Sequence, residues 1–178
     1  SDDGSAPPPL PEFSTVRIDI GIDARIPDNY IEDLAQRLSI YQRLARIQND
    51  SEIDDIDEEI RDRFGPMPTY VKLLMKTVRM RVMAEQAGIE FVSAKETRAT
   101  LMLKEPTGGA RSPLQKQIGS GVDVGHMQIR VEIDRDDPEW IDELMAVIEQ
   151  VHLFQERMLQ MMAMGGADAL TGTSISAG

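Results

Sequence analysis

The chain has 178 residues, 41% of them hydrophobic, enough for one domain with a real core and marginal for two. A formal net charge of −12 argues against a free-standing nucleic-acid binder, which draws its affinity from neutralising phosphates. Cysteine is absent, which excludes disulfides, thiolate nucleophiles and cysteine-ligated zinc and fits a reducing, cytoplasmic setting. No apolar run approaches the ~18 residues that would cross a membrane.

The chain starts at Ser1 and carries three consecutive prolines at Pro7 to Pro9. Residues 1–14 therefore read as a disordered linker or the remnant of an excised fragment. Val16, Ile18 and Ile20 alternate with Arg17 and Asp19, the two-residue period of a half-buried strand. Asp28 or Asn29 is placed to cap a helix whose stripe is Ile31, Leu34, Leu38, Tyr41 and Ala45, widened by Leu44. Ser51 with Asp54 resembles a capping box. The helix behind it places Ile53, Ile56, Ile60 and Phe64 on one face, with Gly65 as its C-terminal cap and Pro66 and Pro68 forbidding continuation.

A third helix is predicted from about Thr69 to Ala87. Val71, Met75, Val78 and Val82 lie on one side, and Leu73, Met80, Ala84 and Ala87 nearly opposite. A helix apolar on two sides is central, packed between helices and sheet. Ile89–Val92 and Arg98–Lys104 read as strands, 106–109 as a turn, and Ser112–Ile118 as a short helix. Met127, Ile129, Val131 and Ile133 give the clearest strand alternation. Asp137 and Pro138 then start a last helix bearing Ile141, Leu144, Met145, Ile148, Val151, Met158 and Met162. Residues 165–178 lack an apolar period and read as a flexible tail, leaving a single domain at 15–164. The predicted class is α+β, helices packed on a small mixed or antiparallel sheet of about four strands.

No phosphate-binding G-x-x-x-x-G-K-[ST] or strand–GxGxxG–helix unit is present, and Gly119 to Gly121 read as a loop. His126 and His152 lie on different predicted elements, without metal-ligand spacing. No catalytic, metal or cofactor-binding residues are assigned. A hydrolase would need a deep pocket with a convergent polar cluster. The acids gather instead on the second helix: Glu52, Asp54, Asp55, Asp57, Glu58, Glu59 and Asp62. Its isoleucines turn Asp55, Glu59 and Asp62 outward in one row. That row is either a solvated face or a docking ridge for arginines of another domain. Lys72, Lys76 and Arg79 form a basic row on the third helix. Nucleic-acid contact there is the alternative reading, without interleaved aromatics to stack on, since Phe, Trp and Tyr make up 4% of the chain.

In order along the chain, VRIDIGIDARIPDNYI (16–31), QRLSIYQRLARI (36–47), EEIRDRFGPMP (58–68) and VRMRVMAEQAGIE (78–90) resemble the C-terminal domain of bacterial transcription-repair coupling factors. The distinguishing pieces are Ala24-x-Ile26-Pro27 after a strand, Arg37-Leu38-x-x-Tyr41-x-Arg43, and Asp62-Arg63-Phe64-Gly65-Pro66-x-Pro68. The segment 95–125 departs from the family pattern. The resemblance implies a parent that is a large ATP-dependent DNA translocase, with ATP, magnesium and DNA bound by its motor and not by this domain. Such a parent displaces stalled RNA polymerase and recruits UvrA in nucleotide excision repair. The resemblance also implies that this domain is non-catalytic, packs on the parent's N-terminal UvrA-binding module, masks it, and restrains the motor. Glu59 and Asp62, then Asp55, are the residues expected at that contact. Phe64, Gly65 and Pro66 are expected to be structural.

Overall fold

A computed structural model of the chain describes residues 14–171, with side chains as far as 165. The expected linker, apart from Ser14, and the last residues of the expected tail lie outside the described residues. The elements run β1 (Arg17–Asp19), α1 (Leu34–Arg46), α2 (Asp50–Phe64), α3 (Thr69–Gln86), β2 (Ile89–Lys95), β3 (Arg98–Leu103), α4 (Arg111–Ile118), β4 (Val122–Val124), β5 (Gln128–Glu132) and α5 (Trp140–Thr171). A turn of 3₁₀ helix, Gly108–Ala110, leads into α4.

The five strands form one sheet in the order β1-β2-β3-β5-β4. β1 runs parallel to β2, and the other pairs are antiparallel. The sheet is therefore mixed, as expected, with β4 as the strand beyond the four anticipated. Period-two burial is clean on β3, where Ala99, Leu101 and Leu103 point inward, and on β5 with Ile129 and Val131. On β2, Ile89 and Val92 both point inward although an odd spacing separates them. A register shift between Ile89 and Phe91 makes this possible.

The core falls into two clusters that share α3. Met80, Ala84 and Ala87 belong to the sheet cluster, with Leu144, Ile148, Val151 and Trp140 of α5 and the inward row of the sheet. Val71, Met75, Val78 and Val82 belong to the helical cluster, with Ile40 and Leu44 of α1 and Ile53, Ile56 and Ile60 of α2. The two-sided pattern of α3 is thus realised, helices on one flank and sheet on the other.

Three local expectations are corrected. Helix α1 is capped by Asp33, whose carboxylate accepts from the Ala35 N–H at 2.9 Å, while Pro27 to Tyr30 form a turn. Ile31 is buried but precedes the cap, so it does not set the helix phase. The face turned inward carries Ile40 and Leu44, and Leu34 and Leu38 stay 59% and 51% exposed. The cap of α2 is Asn49, not Ser51. Its side chain accepts from the Glu52 N–H, and Glu52 reaches back to the Gln48 N–H, both at 3.0 Å. Finally, α5 continues past Met164 to Thr171, and Met162 is exposed rather than core.

Candidate functional site: the charged face of helix α2

Helix α2 buries Ile53, Ile56 and Ile60 against α1 and α3, so its remaining positions face out. Asp55 and Asp62 are exposed, with Glu58 beside them. Among the described residues these three make no ion pair within 4.0 Å. A shallow open surface of α2 joins them with Asp54, Asp57, Glu59 and Arg61.

Glu59 stands differently. Arg43 of α1 grips both its oxygens, at 2.9 and 2.6 Å, and Arg63, one turn further along α2, donates to Oε1 at 2.8 Å. This fork-to-carboxylate pairing is the strong form of a charge-assisted hydrogen bond. The two guanidiniums hold the Glu59 carboxyl down at about 2, well below its ordinary 4.5. The Arg43 guanidinium is raised in turn by the hydrogen bond to Glu59. Glu59, one of the residues expected to meet a partner, is therefore already engaged inside the domain and braces α1 against α2.

Other acids are also spoken for. Asp57 pairs with Arg61 at 2.6 Å along α2, and Arg79 reaches from α3 to Asp50 and Asp54. The basic row is consumed in the same contacts: Arg79 as above, and Lys76 with Asp142 of α5 at 2.8 Å. Lys72 stays exposed. Arg79, Asp50, Asp142 and His152 line a polar cleft of about 520 Å³ between α3 and α5. His152 there lies 3.1 Å from the Gln86 carbonyl and 3.4 Å from Glu156, so it is a half-buried flank histidine. Among the described residues, no group of three acids or histidines is placed to hold a metal ion.

The turn after α2 behaves as the sequence predicts. Gly65 has φ +85° and ψ −167°, a region essentially reserved for glycine, and its N–H closes the helix on the Arg61 carbonyl. Phe64 meets the Tyr30 ring edge-on at 6.2 Å, and the Tyr30 hydroxyl donates to the Gly65 carbonyl at 2.7 Å. Tyr30 was not singled out from the sequence, and Arg43 and Arg63 entered there only as motif residues, with no pairing to Glu59 assigned. Only Arg63 carried a local signal, four residues after Glu59 on one helix.

Mixed sheet, two-sided helix and acidic outward ridge together define an α+β domain that offers a charged surface. Residues 20–111 match the family model of the TRCF domain. The transcription-repair-coupling factor of Bacillus subtilis (strain 168) is 26% identical over 148 residues, covering 78% of this chain and 12% of that protein. Its counterpart in Mycobacterium bovis (strain ATCC BAA-935 / AF2122/97) is 34% identical over 105 residues, covering 59% of this chain and 8% of that protein. A crystal structure of the C-terminal domain of a transcription-repair coupling factor superposes with a TM-score of 0.68 at 22% identity, covering 79% of this chain and 93% of that one. This chain belongs to the transcription-repair-coupling factor family and corresponds to its C-terminal domain. It spans about an eighth or less of the length of the curated relatives it matches.

Proposed function

We propose that this domain works by docking within a larger coupling factor. In that reading it covers the parent's N-terminal UvrA-binding module and restrains an ATP-dependent DNA translocase until RNA polymerase is engaged, in the cytoplasm, in transcription-coupled nucleotide excision repair. The observation that carries the reading is the carboxylates of Asp55, Glu58 and Asp62, without an ion-pair partner among the described residues, on a helix face that the domain's own arginines hold in place. Exposed ion pairs contribute only about 0.2–1 kcal/mol each, less in salt. A latch built from several is selective yet breakable. Asp62 and Asp55 are the gripping groups, and Glu59 sets the ridge by fixing α1 against α2. Of the basic row only Lys72 is left for phosphate, which disfavours direct nucleic-acid contact.

The test is charge reversal at Asp55 and Asp62 in the full-length parent, leaving Glu59 intact so that the α1–α2 brace survives. Basal ATPase and UvrA binding should both rise, and the isolated domain should lose affinity for the N-terminal module. Unchanged values for all three would sink the latch. So would tight, steeply salt-dependent DNA binding by the isolated domain.

A further inference from the structure

The inner seam of α5 is a heptad run: Ile141, Leu144, Ile148, Val151, Gln155, Met158 and Met162 repeat at alternating steps of three and four. As far as Phe154 the domain covers this seam, and Leu144, Ile148 and Val151 are fully buried. Beyond it the helix overshoots the sheet while the seam continues. Met158 is half-buried, and Leu159 and Met162 are 67% and 70% exposed. The overhang and the loop leading to α4 form the walls of an apolar groove of about 460 Å³, with Pro106 and Leu114 on the far side. Apolar side chains also fill the flanking positions, Leu159 on one side and Met161, 67% exposed, on the other. A seam that wide is one that other helices cover.

We propose that the overhanging end of α5 is a self-association surface, through which two copies of this chain pack antiparallel with the overhang of each seated in the groove of the other. Three observations select a second copy over a foreign partner. One wall of the groove and the inserting residues lie on the same end of α5, so a two-fold axis can set each overhang against the groove beside the other. Met158 to Gly165 contain no charged residue, in a chain of net charge −12. Two acidic bodies can meet there without setting like charges against each other, whereas a basic partner would find only Glu105 along the opposite wall of the groove. The orientation follows from bulk. The inner half of each α5 is embedded in its own domain, so parallel helices would drive the two bodies together, while antiparallel ones carry them to opposite ends.

Sedimentation equilibrium of the whole 178-residue chain, from micromolar to sub-millimolar concentration, tests this. The mass should climb from one chain to two. Leu159→Glu combined with Met162→Glu should raise the dissociation constant by at least about tenfold. Both side chains are exposed in the single chain, so thermal unfolding of dilute variant should match the parent sequence. Added salt should strengthen the dimer, since it screens acid–acid repulsion and favours apolar burial. A single-chain mass throughout, a dimer indifferent to the two glutamates, or one dissolved by salt would each overturn the proposal. Charge reversal at Asp55 and Asp62 lies on another face and should leave the dimer untouched, so this test and that of the docking ridge fail independently.

Discussion

At Glu59, a residue chosen from sequence for what it could reach outside the domain turns out to hold the inside together. Its carboxylate takes three hydrogen bonds from Arg43 and Arg63 while remaining 33% exposed. Glu59→Gln should therefore lower stability at neutral pH by about 1 kcal/mol, the size of two partly exposed pairs. The sign of its pH dependence follows from the depressed folded value. Stabilisation is fully present above the unfolded carboxyl range near 4.5 and is lost as pH falls through about 2. Urea denaturation of both proteins should show the gap at pH 7 closing across that window. A gap that persists at the acid end would mean that the ion pairs are not its source. The sequence made the Arg63 contact legible, because four residues on one helix is a local geometry. It could not make Arg43 legible, because that contact depends on how α1 lies against α2.

The same division holds among the elements. Where a helix signal is local and redundant, the reading and the structure agree. Helix α2 has its isoleucine face, its glycine stop and two prolines, and ends where these say. Gly65 leaves open space around a would-be Cβ, so substitution there costs through backbone conformation alone. Gly65→Ala should destabilise by about 1–3 kcal/mol with the packing of Phe64 retained. Equal melting temperatures for the two proteins would contradict that. Helix α1 shows the opposite case. Ile31, Leu34, Leu38 and Tyr41 share a helical period, but a stripe has meaning only inside the helix, and Asp33 starts the helix after Ile31. Burial then falls on Leu44, at the edge of that stripe, and on Ile40, outside it, and two leucines that read as core face outward.

At the scale of the molecule, α3 is the member on which both clusters depend. Its two apolar sides announced that position in the sequence, as did the class of the fold. The strand order did not show, nor did β4, because pairing between distant short segments leaves no mark on either one alone. Shared burial on α3 makes the clusters cooperative. Ile60→Ala, deep in the helical cluster, should cost about 2–5 kcal/mol. The single tryptophan, Trp140, sits in the other cluster. Its fluorescence and the helical circular dichroism should shift to lower denaturant together. Two separated transitions would show that the helical half melts alone.

Strand β1 lies beside β2, although α1, α2 and α3 all fall between Asp19 and Ile89. Such a pairing closes a long loop, and contacts between segments far apart in sequence form slowly. During synthesis Arg17–Asp19 leave the ribosome well before Phe91–Ser93 exist to receive them. Arg135, whose guanidinium fastens the Ile20 and Ala94 carbonyls and lies over Trp140, arrives later still. The earliest strand of the domain is thus the last to be locked, and a nascent chain halted short of Arg135 carries an unfastened sheet edge.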